Sequence, residues 1–177
     1  MDPAFNNSGS TLYYPNSVKN DVQRWFRTRI DGSVAHKSDP VSEHDYSKHS
    51  EKVRAKFTAM LKNDGVIPAE FQTKKFAQRL LPLRWGEGGP SITVTSLPDD
   101  YVHFSQPRIL TVREWARLQG FPDWYNFSGS RTTGGIRRAG NPREGVFERE
   151  LPKYTQIGNA IPVQLAEAIG LHFMKVL

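Results

Sequence analysis

The sequence has no cysteine among its 177 residues. This absence excludes disulfides, thiolate metal sites and a cysteine nucleophile within the chain. The chain also has no apolar run near the ~20 residues that a membrane span requires. Its N-terminus has no charged and then apolar leader. We therefore expect a cytoplasmic protein.

Basic residues outnumber acidic ones, with 24 Lys and Arg against 18 Asp and Glu, a formal net charge of +6. Clustered Lys and Arg can neutralise phosphates and release their counterions, so a polyanionic partner such as DNA is plausible. Hydrophobic residues make up 37% of the chain. A chain of this length suits one domain or two small pieces, and it buries a core only if most of these residues converge.

The spacing of apolar residues predicts a short amphipathic helix over 17–26 and a second helix over 51–65, where Gly65 suits the left-handed turn at the helix end. The segment between them, 29–50, is polar and contains His36, His44 and His49. The spacing of these histidines is poor for metal ligation, so we expect a solvated loop and no metal site.

An extended, aromatic-rich pattern follows in the middle of the chain. Ile92 and Val94 alternate with threonines, and residues 101–104 continue the pattern beyond a Pro-Asp-Asp turn. This pattern predicts a β-hairpin within a small irregular sheet near 90–105. The glycines at 86–89 follow no strand and precede no helix, so they indicate a turn rather than a nucleotide loop. The fold class is mixed α/β (α+β), with a small sheet and short helices.

The segment PRILTVREWARLQGFPDWYNF, residues 107–127, predicts a short helix with firm ends. Thr111 and Glu114 have the spacing of a capping box, and the Gly-Phe-Pro sequence that follows ends the helix about two turns later. The apolar residues offer one side for packing. We expect Arg113 and Arg117 to point off the opposite, polar side.

Residues 128–150 are rich in glycine and arginine and offer little to bury. One interpretation is a solvated loop. The other is DNA contact, because glycine lets the backbone approach a sugar-phosphate chain and arginine supplies forked donors. The candidates for DNA contact are Arg131, Arg137 and Arg138.

Near the C-terminus the chain reads KYTQIGNAIPVQLAEAIG, residues 153–170, a polar turn followed by a regular apolar helix. Pro162 favours a first helical turn, and the apolar residues after it have the spacing of a buried face. These residues are Val163, Ala166, Ile169, Gly170 and Phe173. Asn159 and Ala160 precede the helix. Its entrance could hold an anion or polar ligand on free amides, or Asn159 could simply cap the turn.

Taken together, 107–127 and 153–170 resemble the ninth and tenth sequence blocks of the DNA (cytosine-5) methyltransferases, and the hairpin segment resembles what precedes the ninth block in many bacterial members. The resemblance runs from about Gly89 to Leu177. It implies four parts: a target-recognition region, the ninth-block helix and turn, a loop near DNA, and the tenth-block segment with the terminal helix of the catalytic domain. These correspond to residues 1–106, 107–127, 128–150 and 151–177.

The resemblance also implies roles for particular residues. S-adenosylmethionine would be the cofactor, with Asn159 and Ala160 helping to bind it. The ninth-block helix would hold the recognition region in position through residues with structural roles, several of them charged. These are Arg108, Thr111, Arg113, Glu114 and Arg117.

The family reaction needs a thiolate to attack C6 of a flipped cytosine, and this chain has no cysteine. The family's Gly-rich cofactor loop, Pro-Cys segment and Glu-Asn-Val segment are not found either. The resemblance therefore predicts a C-terminal portion or subunit of a truncated or split enzyme, not catalytic alone. Its partners would be DNA and a complementary chain, or missing N-terminal half, carrying the catalytic Cys. The alternatives are a stand-alone DNA-binding module and a non-functional fragment.

Overall fold

The computed structural model describes residues 9–73, 78–83, 98–132, 142–145, 147 and 150–176. These residues form a mixed structure of helices and one small sheet. The helices are α1 (Asp21–Arg27), α2 (Glu51–Lys62), α3 (Val112–Leu118), α4 (Lys153–Asn159) and α5 (Val163–Val176), with short 3-10 turns at Ala69–Phe71 and Pro142–Glu144. In the described part of the chain, no helix is long and apolar enough to cross a membrane.

The first two helices begin at side-chain caps. The Asn20 side chain accepts a hydrogen bond from the Gln23 amide at 2.9 Å, so α1 begins later than the spacing of its apolar residues predicted. Helix α2 begins after Ser50 and ends before Gly65, whose φ of 87° confirms the predicted left-handed turn. Helix α2 buries Phe57 and Met60, whereas α1 buries no residue.

The described sheet pairs residues other than those of the predicted hairpin, whose first strand lies outside the described residues. Strand β1 (Arg79–Leu80) pairs in parallel with β2 (Tyr101–Val102), and Val102 also forms an antiparallel bridge to Ile109. The extended conformation at 101–102 is confirmed, but its described partner is a parallel strand about twenty residues earlier. This pairing lets Leu80 and Val102 pack with the apolar side of α2. Ile92, Val94 and the glycines at 86–89 lie outside the described residues.

Two apolar clusters form the core. The larger surrounds Trp115 of α3 and includes Leu110 before that helix and Tyr154 and Ile157 of α4. The second joins α2 to β2. Full burial of one such side chain contributes ~1.5 to 3 kcal/mol, so the first cluster stabilises the contact between α3 and α4, and the second stabilises the contact between α2 and β2.

The polar segment 29–50 is not the solvated loop that we predicted. Its backbone is fastened to the preceding residues by antiparallel bridges, among them Tyr13 with Pro40 and Thr28 with Val34. Ala35 and Val41 pack with Tyr14 in a small buried cluster. The segment is held in place by contacts distant in sequence, which composition does not reveal.

The C-terminal segment also departs from expectation. The residues predicted to form a polar turn are helix α4, because Tyr154 and Ile157 lie on one face and are buried. Helix α5 begins directly after Pro162, as predicted. Its apolar face is not covered by the described residues, since Ile169 is 46% exposed and Phe173 is 58% exposed. The exposure agrees with the expectation that the terminal helix completes a domain supplied by a partner or a missing N-terminal half, although no such surface is present among the described residues.

Candidate functional site

A buried ion pair lies at the start of α3. The Thr111 hydroxyl accepts from the Glu114 amide at 3.2 Å, and the Glu114 carboxylate accepts from the Thr111 amide at 2.8 Å, which confirms the capping box. Arg108 binds the same carboxylate through two hydrogen bonds of 2.6 and 2.7 Å. Burial opposes ionisation of Glu114, but the hydrogen bonds and charge of Arg108 outweigh it and lower the Glu114 pKa to about 2.

Two buried imidazoles flank this pair. His44 Nδ1 lies 3.0 Å from the Thr111 hydroxyl, and His103 Nδ1 accepts from the Ser105 amide at 3.1 Å. Their Nε2 atoms lie 4.0 and 3.6 Å from Glu114 Oε1. Burial lowers the pKa of each histidine to about 4, with Arg108 contributing, so both are neutral at pH 7. From the sequence we placed His44 in a solvated loop and did not single out His103.

We predicted that Arg113 would lie on the exposed, polar side of α3. The structure contradicts this prediction, because Arg113 is completely buried. Its guanidinium donates to the Ser42 carbonyl at 3.2 Å and the Ser42 hydroxyl at 3.0 Å. It also donates to the carbonyls of Pro122 at 3.1 Å and Tyr125 at 2.9 Å. The physical reason is that irregular backbone lies on both sides of α3, and its carbonyls, which no helix or sheet pairs, accept from the Arg113 guanidinium. Arg113 therefore joins the N-terminal segment to the turn after α3.

Arg117 was also predicted to point away from α3 on its polar side, but its guanidinium binds a carboxylate of the same chain. Its guanidinium forms hydrogen bonds of 2.8 and 2.7 Å with the Asp123 carboxylate. The Tyr14 hydroxyl donates to the same carboxylate at 2.6 Å. Burial opposes ionisation of Asp123, but Arg117 outweighs it and lowers the Asp123 pKa. The sequence signal for Asp123 was its place in the turn that ends the helix, yet Tyr14 lies too far away in sequence to be inferred.

The turn between α4 and α5 contains the predicted cofactor residues. Asn159 is the last residue of α4 and is exposed, and its side-chain amide has no partner among the described residues. Ala160 is half-buried and extended, with φ of −76° and ψ of 149°. An exposed amide beside a short turn fits a small polar ligand, because both its donor and its acceptor are available.

The end of α3 holds this turn in place. Gln119 is buried, and its side-chain amide donates to the Ala160 carbonyl. The Val163 amide donates back to the Gln119 carbonyl at 3.2 Å. That amide is therefore not free for an anion, which corrects part of the sequence expectation for the helix entrance. Gly120, with φ of 85°, lies directly beneath the Gln164 side chain.

Of the predicted DNA-contacting arginines, the structure describes Arg131 alone. It is half-buried, and its guanidinium donates to the Asp45 carbonyl at 3.2 Å. Arg137 and Arg138 lie outside the described residues. The role of all three in DNA contact stays a prediction.

Comparison with known proteins identifies the family. The family model for C-5 cytosine-specific DNA methylases matches residues 6–175. The chain belongs to this family, whose members use S-adenosylmethionine as the methyl donor.

The chain is similar in sequence to bacterial and plant proteins. The chain is 28% identical over 162 residues to the Type II methyltransferase M.DdeI of Desulfomicrobium norvegicum, a match covering 92% of this chain and 32% of the relative. It is 30% identical over 129 residues to the Type II methyltransferase M.XorII of Xanthomonas oryzae pv. oryzae, covering 73% and 26%. It is 36% identical over 100 residues to the DNA (cytosine-5)-methyltransferase CMT1 of rice, covering 55% and 7%. The chain thus spans about a third or less of these relatives.

Proposed function

We propose that this chain is the C-terminal portion or a subunit of a DNA cytosine-5 methyltransferase. It contributes DNA target recognition and part of the S-adenosylmethionine pocket, and it is not catalytic alone. The observation that carries the proposal is the uncovered apolar face of α5, which directly follows a turn fixed by the family's ninth-block helix. Membership of the family supports the substrate class.

The exposed residues of α5 are those of a helix that packs on a larger domain. Six large apolar residues of this 14-residue helix are exposed: Leu165, Ile169, Leu171, Phe173, Met174 and Val176. Removal of apolar surface from water contributes ~25 cal/mol per Å², so covering these side chains would strongly favour association. The proposed cover is the catalytic domain that carries the other cofactor-binding segments.

The turn before α5 is the proposed cofactor contact. Asn159 presents an amide that can both donate and accept, and Ala160 leaves room for a ligand to approach. When bound, S-adenosylmethionine supplies the methyl group. This chain's own part is to hold the turn still through Gln119, so that Asn159 meets the ligand without further ordering.

The nucleophile must come from elsewhere, because the chain has no cysteine. Transfer of a methyl group to C5 of cytosine needs a thiolate that adds to C6 of the base. We propose no other side chain of this sequence as the nucleophile. We therefore propose a complementary polypeptide or preceding segment that carries the catalytic Cys.

The proposed recognition role belongs to residues 1–106 and the loop 128–150. Two contacts support a rigid link between the first region and the ninth-block helix: Arg113 with Ser42, and Tyr14 with Asp123. Because the Tyr14–Asp123 hydrogen bond is buried and the Arg113–Ser42 hydrogen bond is part-buried, we propose that the N-terminal segment is held at a fixed position relative to the turn at Asn159. Arg131, Arg137 and Arg138 are the proposed DNA contacts in the loop.

A stand-alone DNA-binding module is the second candidate, favoured by the net charge of +6. It predicts salt-dependent DNA binding by the isolated chain, weakened by Arg137→Ala and Arg138→Ala. Fluorescence anisotropy at 50 and 200 mM salt measures this. If the chain shows no DNA affinity at low salt, this candidate is excluded.

Association with a Cys-bearing methyltransferase polypeptide from the same source tests the first proposal. We expect isothermal titration calorimetry to detect a complex with wild-type chain and a loss of affinity of at least tenfold with Phe173→Asp, because a charge cannot be buried in that face without cost. Val66→Asp is the matched control, since Val66 is 66% exposed and lies outside α5. Equal affinities for the two variants would argue against α5 as the interface.

A further inference from the structure

A cavity of about 230 Å³ lies between the N-terminal segment and the residues around the Arg108–Glu114 pair. Neither the family match nor the proposed cofactor turn assigns it a role. Its wall carries aromatic rings, cationic side chains and one carboxylate. The lining residues used below are Tyr13, Arg27, His44, His103, Phe104 and Glu114.

The floor of the cavity offers hydrogen-bonding capacity. Glu114 Oε2 accepts from Arg108 and from the Thr111 amide, whereas among the described residues Oε1 accepts one direct hydrogen bond, from Arg108 at 2.7 Å. The nearest imidazole nitrogens, of His103 and His44, are 3.6 and 4.0 Å from Oε1, beyond ordinary hydrogen-bond length. A carboxylate oxygen can accept two hydrogen bonds, so Oε1 can receive a further N–H donor from a ligand.

The rim offers planar surfaces. Tyr13 is 57% exposed and Phe104 is 37% exposed, and the Phe104 ring stacks on His103 with centroids 4.3 Å apart. Arg27 lies over the Tyr14 ring at 4.1 Å and brings a cation to the same wall. Aromatic rings beside cations are the features that hold unstacked nucleic-acid bases, because every base has a face that can stack.

We propose that this cavity receives a single unpaired DNA base with an exocyclic amino group, separate from the cytosine that is methylated. The amino group donates to Glu114 Oε1, while Tyr13 and Phe104 contact the ring. The volume is sufficient, since an apolar cavity of about 150 Å³ holds benzene. A bare phosphate is disfavoured by the Glu114 carboxylate. The inference rests on the proposed DNA recognition by this chain.

Fluorescence anisotropy with the full chain tests the inference, using three duplexes: one fully paired, one with a single extrahelical cytosine, and one with a single extrahelical thymine. We expect the extrahelical cytosine duplex to bind about tenfold more tightly than either of the others, because thymine lacks the amino group and each stacked base contributes substantially to affinity. Tyr13→Ala and Phe104→Ala should abolish the preference. Leu12→Ala is the matched control, being 58% exposed and outside the lining.

The outcomes separate two failures. Equal binding of the cytosine and paired duplexes would overturn the cavity inference and leave DNA recognition intact. Equal binding of the cytosine and thymine duplexes would overturn the contact with Glu114. Loss of the preference in Leu12→Ala as well would show that the rim rings are not responsible. Binding to none of the duplexes at low salt would contradict DNA recognition itself, and the cavity inference with it.

Discussion

At the scale of single residues, the buried arginines determine how the N-terminal segment meets α3. Arg113 donates to the carbonyls of Ser42, Pro122 and Tyr125 through part-buried hydrogen bonds. A guanidinium can do this because it carries five N–H donors in a planar fork. Its charge is compensated in part by Asp123, whose carboxylate lies 3.9 Å away.

Arg113→Ala should lower the free energy of unfolding by about 3 to 5 kcal/mol, because it removes the donor shared by three backbone carbonyls and leaves a cavity beside α3. Asp123 keeps its hydrogen bonds from Arg117 and Tyr14. Urea denaturation measures the change. Arg24→Ala in exposed α1 is the control and should change stability by less than about 0.5 kcal/mol. Similar losses for both variants would contradict the role given to Arg113.

The two buried histidines should make stability depend on pH. The pKa of each is about 4 in the folded chain, against about 6.5 for an ordinary histidine. As the pH falls below about 6.5 the unfolded chain binds protons first, so the free energy of unfolding decreases until about pH 4. The loss should be about 3 kcal/mol for each histidine, and therefore about 6 kcal/mol for the two together.

Urea denaturation at pH 7, 5.5 and 4.5 measures this loss. The double variant His44→Gln, His103→Gln keeps amide donors and acceptors but cannot titrate, so its stability should fall less over this range. Glu114 affects stability only at lower pH, because its pKa is about 2 in the folded chain. Its contribution to the free energy of unfolding is lost as the pH falls from about 4.5 to 2. An unchanged slope in the double variant would show that the histidines are not the cause.

The sequence allowed part of this residue-level arrangement to be predicted. Thr111 and Glu114 were accessible because a capping box is local, with both partners within three residues. The orientations of Arg113 and Arg117 were not, because a partner such as Ser42 or Tyr14 approaches only after the chain folds. Helical periodicity places a residue on a face, but it does not say what covers that face.

At the scale of elements, α3 should owe much of its position to its cap. The Thr111 hydroxyl is buried and also lies beside His44, whereas the Ser50 cap of α2 is exposed and longer, at 3.4 Å. Thr111→Ala should therefore destabilise the chain by about 1 to 2 kcal/mol, and Ser50→Ala by about 0.5 kcal/mol. Thermal or urea unfolding compares them, and the reverse order would contradict this account of the caps.

Some helices and strands could be predicted from the sequence pattern, and others could not. Helices α2, α3 and α5 could be predicted because their apolar spacing or end signals are continuous in the sequence. The pairing of β1 with β2 could not, since strands of two residues carry no periodicity and their register is set by packing on α2. Helix α4 was hidden by Gly158 and Asn159, which favour turns in isolation.

At the scale of the whole molecule, α5 is the element that the described residues do not explain. A helix with an apolar face exposed along its length gains little from the part of the chain that the structure describes. The apolar spacing indicated a face that must be buried, and the resemblance implied that the covering surface belongs to a partner or a missing N-terminal half. The proposed methyltransferase complex supplies such a surface and also the thiolate.

Methyl transfer from tritiated S-adenosylmethionine to DNA tests this account most directly. A Cys-bearing methyltransferase polypeptide from the same source is assayed alone, with this chain, and with its Phe173→Asp variant, and this chain is also assayed by itself. We expect 5-methylcytosine only when the partner and the wild-type chain are combined. Methylation by the partner at an unchanged rate without this chain, or by this chain unaided, would contradict the proposal.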